Sequence, residues 1–226
     1  MQAQHTTSSL RSRLGGLYAV TPDAQDSPAL MGKVAAALAG GARAIQYRNK
    51  TASRAQKRDQ AVQLARLCAS SGALMIVNDE PKLAAEVGAD GVHLGRDDSD
   101  VANARALVGA ARLVGVSCYG DIARAQHAVD QGADYVAFGS FFPSQIKPDA
   151  ARVLPSLLTQ ARALGVPIVA IGGITAGNAR LLIDAGADAV AVITDVFQHD
   201  EPASVTRAAA AIASQFSRQT PQECYG

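Results

Sequence analysis

Residues 132–139 read Gly-Ala-Asp-Tyr-Val-Ala-Phe-Gly, and this stretch decides the fold. A glycine just past a helical pattern supplies the left-handed helix end, and the short apolar run after it reads as a strand buried on both faces. The same turn returns at Gly88–Asp90 and Gly186–Asp188, and in altered form at Gly41-Ala42-Arg43. Helix-to-strand turns of one repeated kind imply alternating β and α units and therefore a parallel sheet.

Working outward, apolar runs of strand length recur at Leu17–Val20, Ala44–Tyr47, Leu74–Val77, Gly91–Leu94, Leu113–Val116, Tyr135–Phe138, Pro167–Ile171 and Ala189–Ile193. Stretches with helical spacing lie between them: Ala29–Leu38, Arg54–Ser70, Pro81–Val87, Asp100–Val108, Ile122–Asp130, Pro155–Leu164, Ala176–Ala185 and Val205–Phe216. Eight such units in about 210 residues, roughly 26 per unit, fit a closed (β/α)8 TIM barrel better than an open sheet. The expected layout is a flexible N-terminal tail over 1–14, one α/β barrel domain over 15–216 and a C-terminal tail over 217–226.

Composition narrows the function. The 226 residues are 48% hydrophobic and carry a net charge of +1, which supports a large core and disfavours a basic nucleic-acid or membrane-surface protein. Any anionic ligand must therefore meet local positive charge. Three cysteines, Cys68, Cys118 and Cys224, form no paired spacing, so neither a disulfide framework nor a zinc site is indicated. Cys68 reads as a buried structural thiol. No apolar run reaches membrane-spanning length and the opening residues lack a signal-peptide stretch, so a cytoplasmic protein is expected.

In a barrel of this kind the chemistry sits where strands end. The second strand runs into Gln46-Tyr47-Arg48-Asn49-Lys50, and continued alternation would put 46, 48 and 50 on one face as an anion site. A solvated loop would explain Arg48 alone. The third strand ends in Asn78-Asp79 and the fourth in Gly95-Arg96-Asp97-Asp98. Helix caps would explain either acid, whereas two acids on adjacent strand ends beside cations suggest Mg2+ bridging carboxylates and a polyphosphate. The fifth strand delivers Ser117, and the sixth a loop carrying Ser144, Gln145, Ile146 and Lys147. The seventh ends in Gly172-Gly173 and the eighth in Ile193-Thr194, the usual place for a phosphate cradle. His93 reads as a packed, hydrogen-bonded core residue. With no nucleophile–base set, the chemistry should rest on electrostatics.

The segments LYAVTP, QYRNK, IVND, GADGVHLGRDD, GVSCY, GADYVAFGSFFPSQIK, VAIGGIT and GADAVAVIT, in that order from Leu17 to about Val196, together resemble the thiamine-phosphate synthase family. The resemblance implies condensation of 4-amino-2-methyl-5-pyrimidinylmethyl diphosphate with a thiazole phosphate, through a dissociative, Mg2+-assisted loss of pyrophosphate. It implies that Gln46, Arg48, Lys50 and Asn78 hold the pyrimidine diphosphate, that Asp79 and Asp98 bind Mg2+, and that Ser117 and Lys147 also meet this substrate. Ser144 to Ile146, Gly173, Ile193 and Thr194 would receive the thiazole phosphate. Arg48, Lys50, Lys147 and Ser117 form the expected catalytic set, with Tyr47 and Asn49 counted among the substrate contacts. The family loop Pro-Thr-x-Thr-Lys is here Pro143-Ser144-Gln145-Ile146-Lys147, so Ile146 removes one hydroxyl. Expected partners are the two substrates, with room for a homo-oligomer and with neither nucleic acid nor membrane. Competing readings are a related thiazole tautomerase, a non-catalytic phosphate-binding barrel of the same pathway, and an unrelated phosphate-handling barrel isomerase.

Overall fold

The computed structural model describes residues 7–95, 100–143 and 151–217. Eight parallel strands close into a barrel in chain order: β1 (Gly16–Val20), β2 (Ala42–Tyr47), β3 (Leu74–Asn78), β4 (Gly91–Leu94), β5 (Leu113–Tyr119), β6 (Tyr135–Phe138), β7 (Ile168–Ile171) and β8 (Ala189–Val192). The helices are α1 (Thr7–Leu14), α2 (Ser27–Ala39), α3 (Arg54–Ser71), α4 (Pro81–Val87), α5 (Val101–Val108), α6 (Ile122–Asp130), α7 (Ser156–Ala161), α8 (Ala179–Asp184), α9 (Thr194–Phe197) and α10 (Pro202–Ala213). The expected TIM barrel is what the chain forms.

Period-2 alternation divides every strand between two cores. Leu17, Ile45, Met75, Val92, Val114, Val136, Ile168 and Val190 face out, into the layer beneath the helices. Tyr18, Ala44, Leu74, Ile76, Leu113, Tyr135, Val169 and Ala189 fill the barrel itself. Small interior residues make room for the tyrosines. Gly115 is the tightest case, since a Cβ there would lie 2.0 Å from the Tyr135 ring.

The repeated Gly-Ala-Asp turns do more than end helices. Their glycines hold positive φ (70° at Gly88, 94° at Gly132, 112° at Gly186), as the sequence predicts. Each aspartate then clamps one residue of the preceding strand from both sides. Met75 donates its N–H to the Asp90 carboxylate at 2.8 Å and accepts from the Asp90 N–H at 2.8 Å. Val114 with Asp134, and Ile168 with Asp188, repeat the exchange. These clamps fix the register where a one-residue slip would turn each strand inside out.

The N-terminal segment departs from expectation. Residues 7–14 form α1 rather than a loose tail, and its Leu10 and Leu14 are buried in the same apolar cluster as the interior-facing strand residues. Arg11 pairs with Asp188 and Arg13 with Asp90, while Arg43 donates to the Ser12 carbonyl at 2.8 Å. Two leucines four residues apart, in an otherwise polar stretch, suffice because the helix has only a barrel end to cover.

Cys68 and Cys118 are buried, and burial pushes each thiol up to about 12. Neither is a thiolate at neutral pH, so neither is a nucleophile. The unfolded chain ionises these thiols near pH 9 and the folded chain does not, so their contribution is intact below pH 9 and lost as pH rises toward 12. Urea midpoints are expected to fall across that window, and to fall less steeply in Cys68→Ala than in the parent.

Candidate active site

The C-terminal strand ends surround a cavity of about 400 Å³. Gln46, Arg48, Asn78 and Ser117 line it from one side, and Gly172, Gly173, Ile193 and Thr194 from the other. A second cavity of about 250 Å³ lies behind β2 and β3, lined by Tyr47, Asn49, Lys50, Lys57, Asp79 and Glu80, and Asn78 borders both. The predicted site is thus split across two adjoining spaces. Asp98, Ser144, Gln145, Ile146 and Lys147 fall outside the described residues.

The single face expected for 46, 48 and 50 holds only for the first two. β2 ends at Tyr47, so strand alternation no longer governs Lys50, which lines the second cavity. Tyr47 and Asn49 line that second cavity too, and their polar groups are tied into the surrounding structure. The Tyr47 hydroxyl donates to Gln60 at 2.8 Å. Asn49 donates to the Ala24 carbonyl at 2.6 Å and accepts from the backbone N–H of Thr51 and Ala52. Their polar groups hold the β2–α3 connection, which in turn positions Arg48.

Arg48 is fixed from two sides. Thr21 exchanges hydrogen bonds with its backbone N–H and carbonyl, both 2.9 Å. Asp23, which sequence reasoning passed over, takes its guanidinium at 3.3 Å and the Lys50 N–H at 2.6 Å. One carboxylate thus orders two neighbouring cationic residues, leaving the other guanidinium nitrogens of Arg48 without a bond among the described residues. The aspartate follows the β1 run closely, and its charge next to a cationic strand end is the signal that could have found it.

Asp79 leaves β3 in the left-handed region (φ 61°), which Asp tolerates better than most residues, and accepts from the Asn78 amide. Among the described residues no group of three or more His, Cys, Asp or Glu is arranged to hold a metal. A single hard carboxylate on the rim nonetheless fits Mg2+, which takes one or two carboxylates and completes its shell with water and substrate phosphate. Glu80 is occupied by Lys57 at 2.6 Å.

The opposite wall is built by close backbone approach. A Cβ on Gly172 would lie 2.0 Å from the Ser140 hydroxyl, and one on Gly173 2.2 Å from the Pro143 carbonyl. Phe142 donates to the Gly172 carbonyl at 3.0 Å, so the loops after β6 and β7 are joined. The one-turn helix α9, absent from the sequence reading, starts at Thr194 and leaves its first N–H groups without helical acceptors.

Beneath this mouth a polar line crosses the barrel. Gln46, Tyr18, Tyr135, His93 and Ser117 are joined by successive contacts of 2.9, 3.0, 3.1 and 2.9 Å. Burial pushes both phenols well above their ordinary range, so they remain protonated. His93 is buried and stacks on Tyr135 at 5.6 Å, the packed role read from the sequence.

A family model described as thiamine monophosphate synthase matches residues 17–196. The chain belongs to the thiamine monophosphate synthase family. Two relatives named thiamine-phosphate synthase bear this out. That of Chromobacterium violaceum is 54% identical over 198 residues, covering 88% of this chain and 96% of the relative. That of Thiobacillus denitrificans is 51% identical over 215 residues, covering 95% and 100%. The solved thiamine phosphate pyrophosphorylase of Pyrococcus furiosus superposes with a TM-score of 0.81 at 32% identity, covering 92% of this chain and 98% of that one. As a member of the thiamine monophosphate synthase family the chain is an enzyme, a transferase. Among the described residues no helix is long and apolar enough to cross a membrane.

Proposed function

We propose that the chain joins a pyrimidinylmethyl diphosphate to a thiazole phosphate, releasing pyrophosphate and thiamine phosphate. The observation that carries this reading is one cavity with an anion site at each side: Arg48 on the β2 side, and the glycine loop with the start of α9 across from it. Two phosphorylated substrates can lie there with the pyrimidinylmethyl carbon and the thiazole ring nitrogen between them.

The buried Gln46 amide holds the pyrimidine ring, and Arg48 takes the diphosphate oxygens as charge builds on the leaving group. Lys50, beside Asp79, adds positive charge from the second cavity. Lys147 and Ser117 are assigned to the same diphosphate, and Asp98 to the metal beside Asp79. A Mg2+ ion bound by these carboxylates and by substrate would neutralise the departing pyrophosphate. Backbone N–H groups near Gly173 and Thr194 hold the thiazole phosphate, with Ser144 to Ile146 and Ile193 closing around it, and aim its ring nitrogen at the carbon being vacated. Apolar walls, Val169, Ile171 and Ala191 among them, keep water away from that electrophile.

The test is to incubate both substrates with Mg2+ and measure thiamine phosphate and pyrophosphate in equal amounts. Asp79→Ala is expected to lower turnover at least a hundredfold and EDTA to abolish it. Undiminished product under either condition would refute the metal assignment, and no product under any condition would refute the reaction.

A further inference from the structure

The polar line below the mouth has a direction, and that direction follows from the orientation of the Gln46 amide together with a count of protons. The Gln46 Nε2 can only donate, and it reaches the Tyr18 oxygen at 2.9 Å. Tyr18 is fully buried, and its other partner among the described residues is the Tyr135 hydroxyl at 3.0 Å. Its proton must go there, because a buried hydroxyl left unpaired is costly. Tyr135, also fully buried, must then donate to His93 Nδ1 at 3.1 Å. That nitrogen is bare, so the ring carries its proton on Nε2 and donates it to Ser117 Oγ at 2.9 Å. The Ser117 proton is left to point elsewhere, and Ser117 lines the cavity. At the other end the Gln46 carbonyl oxygen has no partner among the described residues, and Gln46 lines the same cavity. Turning the Gln46 amide over would reverse all four bonds together, leaving an amino group at Gln46 and a bare oxygen at Ser117.

We propose that Tyr18, Tyr135 and His93 are positioning residues that determine specificity, by locking an acceptor at Gln46 and a donor at Ser117 onto the cavity floor. A ring offering an amino donor beside a bare ring nitrogen matches this pair, as a 4-aminopyrimidine does. Its 4-oxo counterpart offers a carbonyl beside a ring N–H; the Ser117 hydroxyl can still accept from that N–H, but the carbonyl meets the Gln46 carbonyl oxygen acceptor against acceptor. The ligand named here rests on the reading that the pyrimidine lies against Gln46, whereas the direction of the chain does not.

The direction is tested by nitrogen NMR on full-length protein labelled at histidine, with His93 assigned from the resonance lost in His93→Gln. The wild type should show Nδ1 bare and Nε2 protonated. In Gln46→Glu the new carboxylate can only accept, so the chain must run the other way and Nδ1 should gain a proton, three side chains from the substitution. A protonated Nδ1 in the wild type, or a bare one in a folded Gln46→Glu, overturns the proposal. The selectivity is tested by kcat/KM for the 4-amino and 4-oxo pyrimidinylmethyl diphosphates. Their ratio should shrink roughly tenfold in Tyr135→Phe and in Tyr18→Phe. A purely structural role would lower both rates and leave the ratio alone, and that result in both variants overturns the specificity role. If Gln46→Ala leaves KM for the amino substrate unaltered while the spectra are as expected, the pyrimidine placement fails and the selectivity with it, though the chain's direction stands.

Discussion

Replacing Arg48 with alanine is expected to lower kcat/KM for the diphosphate substrate by between about thirty- and a thousandfold. That corresponds to roughly 2–4 kcal/mol of transition-state stabilisation, the usual cost of removing one preorganised group that faces developing charge. The guanidinium is held on the cavity wall before substrate arrives, by Thr21 through the backbone and Asp23 through the side chain. Its orientation therefore costs nothing at the moment the C–O bond breaks. Stability should hardly change, because the Asp23 pair is partly exposed and such pairs contribute about 0–1 kcal/mol. Arg48→Lys should recover only part of the loss, since an ammonium cannot engage Asp23 and a phosphate with one planar fork. Steady-state kinetics beside urea unfolding separate the two effects, and a wild-type kcat/KM in Arg48→Ala would remove Arg48 from the mechanism.

The second large effect is on stability. Gly115→Ala is expected to cost roughly 3–5 kcal/mol, summing overpacking of a filled core with the loss of buried hydrogen bonds. The added Cβ would lie 2.0 Å from Tyr135 Cζ and 2.4 Å from both adjoining ring carbons. The ring cannot swing aside cheaply, because its hydroxyl is tied to Tyr18 and His93 and its face stacks on the imidazole. Denaturant midpoints measure this directly, and a change below about 0.5 kcal/mol would show that the barrel interior has slack.

Much of the fold was legible in the sequence, for a local reason. Each strand is a short apolar run bounded by a Gly-Ala-Asp turn or a polar end, so the observed strands overlap all eight expected ones. What escaped was non-local. α1 offers only Leu10 and Leu14 as apolar residues, and nothing local says that a barrel end awaits them. Tyr18 and Tyr135 have the right parity to face inward, but which residues meet across a barrel depends on closure and stagger. For the same reason His93 could be read as packed without its two partners being named. At the site, Gln46, Arg48, Asn78, Ser117, Gly173, Ile193 and Thr194 share one cavity as their strand-end positions imply. Tyr47 and Asn49 have the opposite parity from Gln46 and Arg48 and turn away with it, whereas Lys50 diverges because the strand stops at Tyr47 and alternation ceases to be informative once the ladder ends.

The seating of α1 beneath the barrel has a consequence for solvent exchange. With Leu10 and Leu14 in the same apolar cluster as the tyrosines, the polar line meets open space at the mouth, where Tyr18, Gln46, His93 and Ser117 line the cavity. Whatever occupies the mouth is then also its stopper. Those protons should exchange with deuterium more slowly when substrate is bound than when the cavity is open, which makes their lifetimes a direct gauge of occupancy.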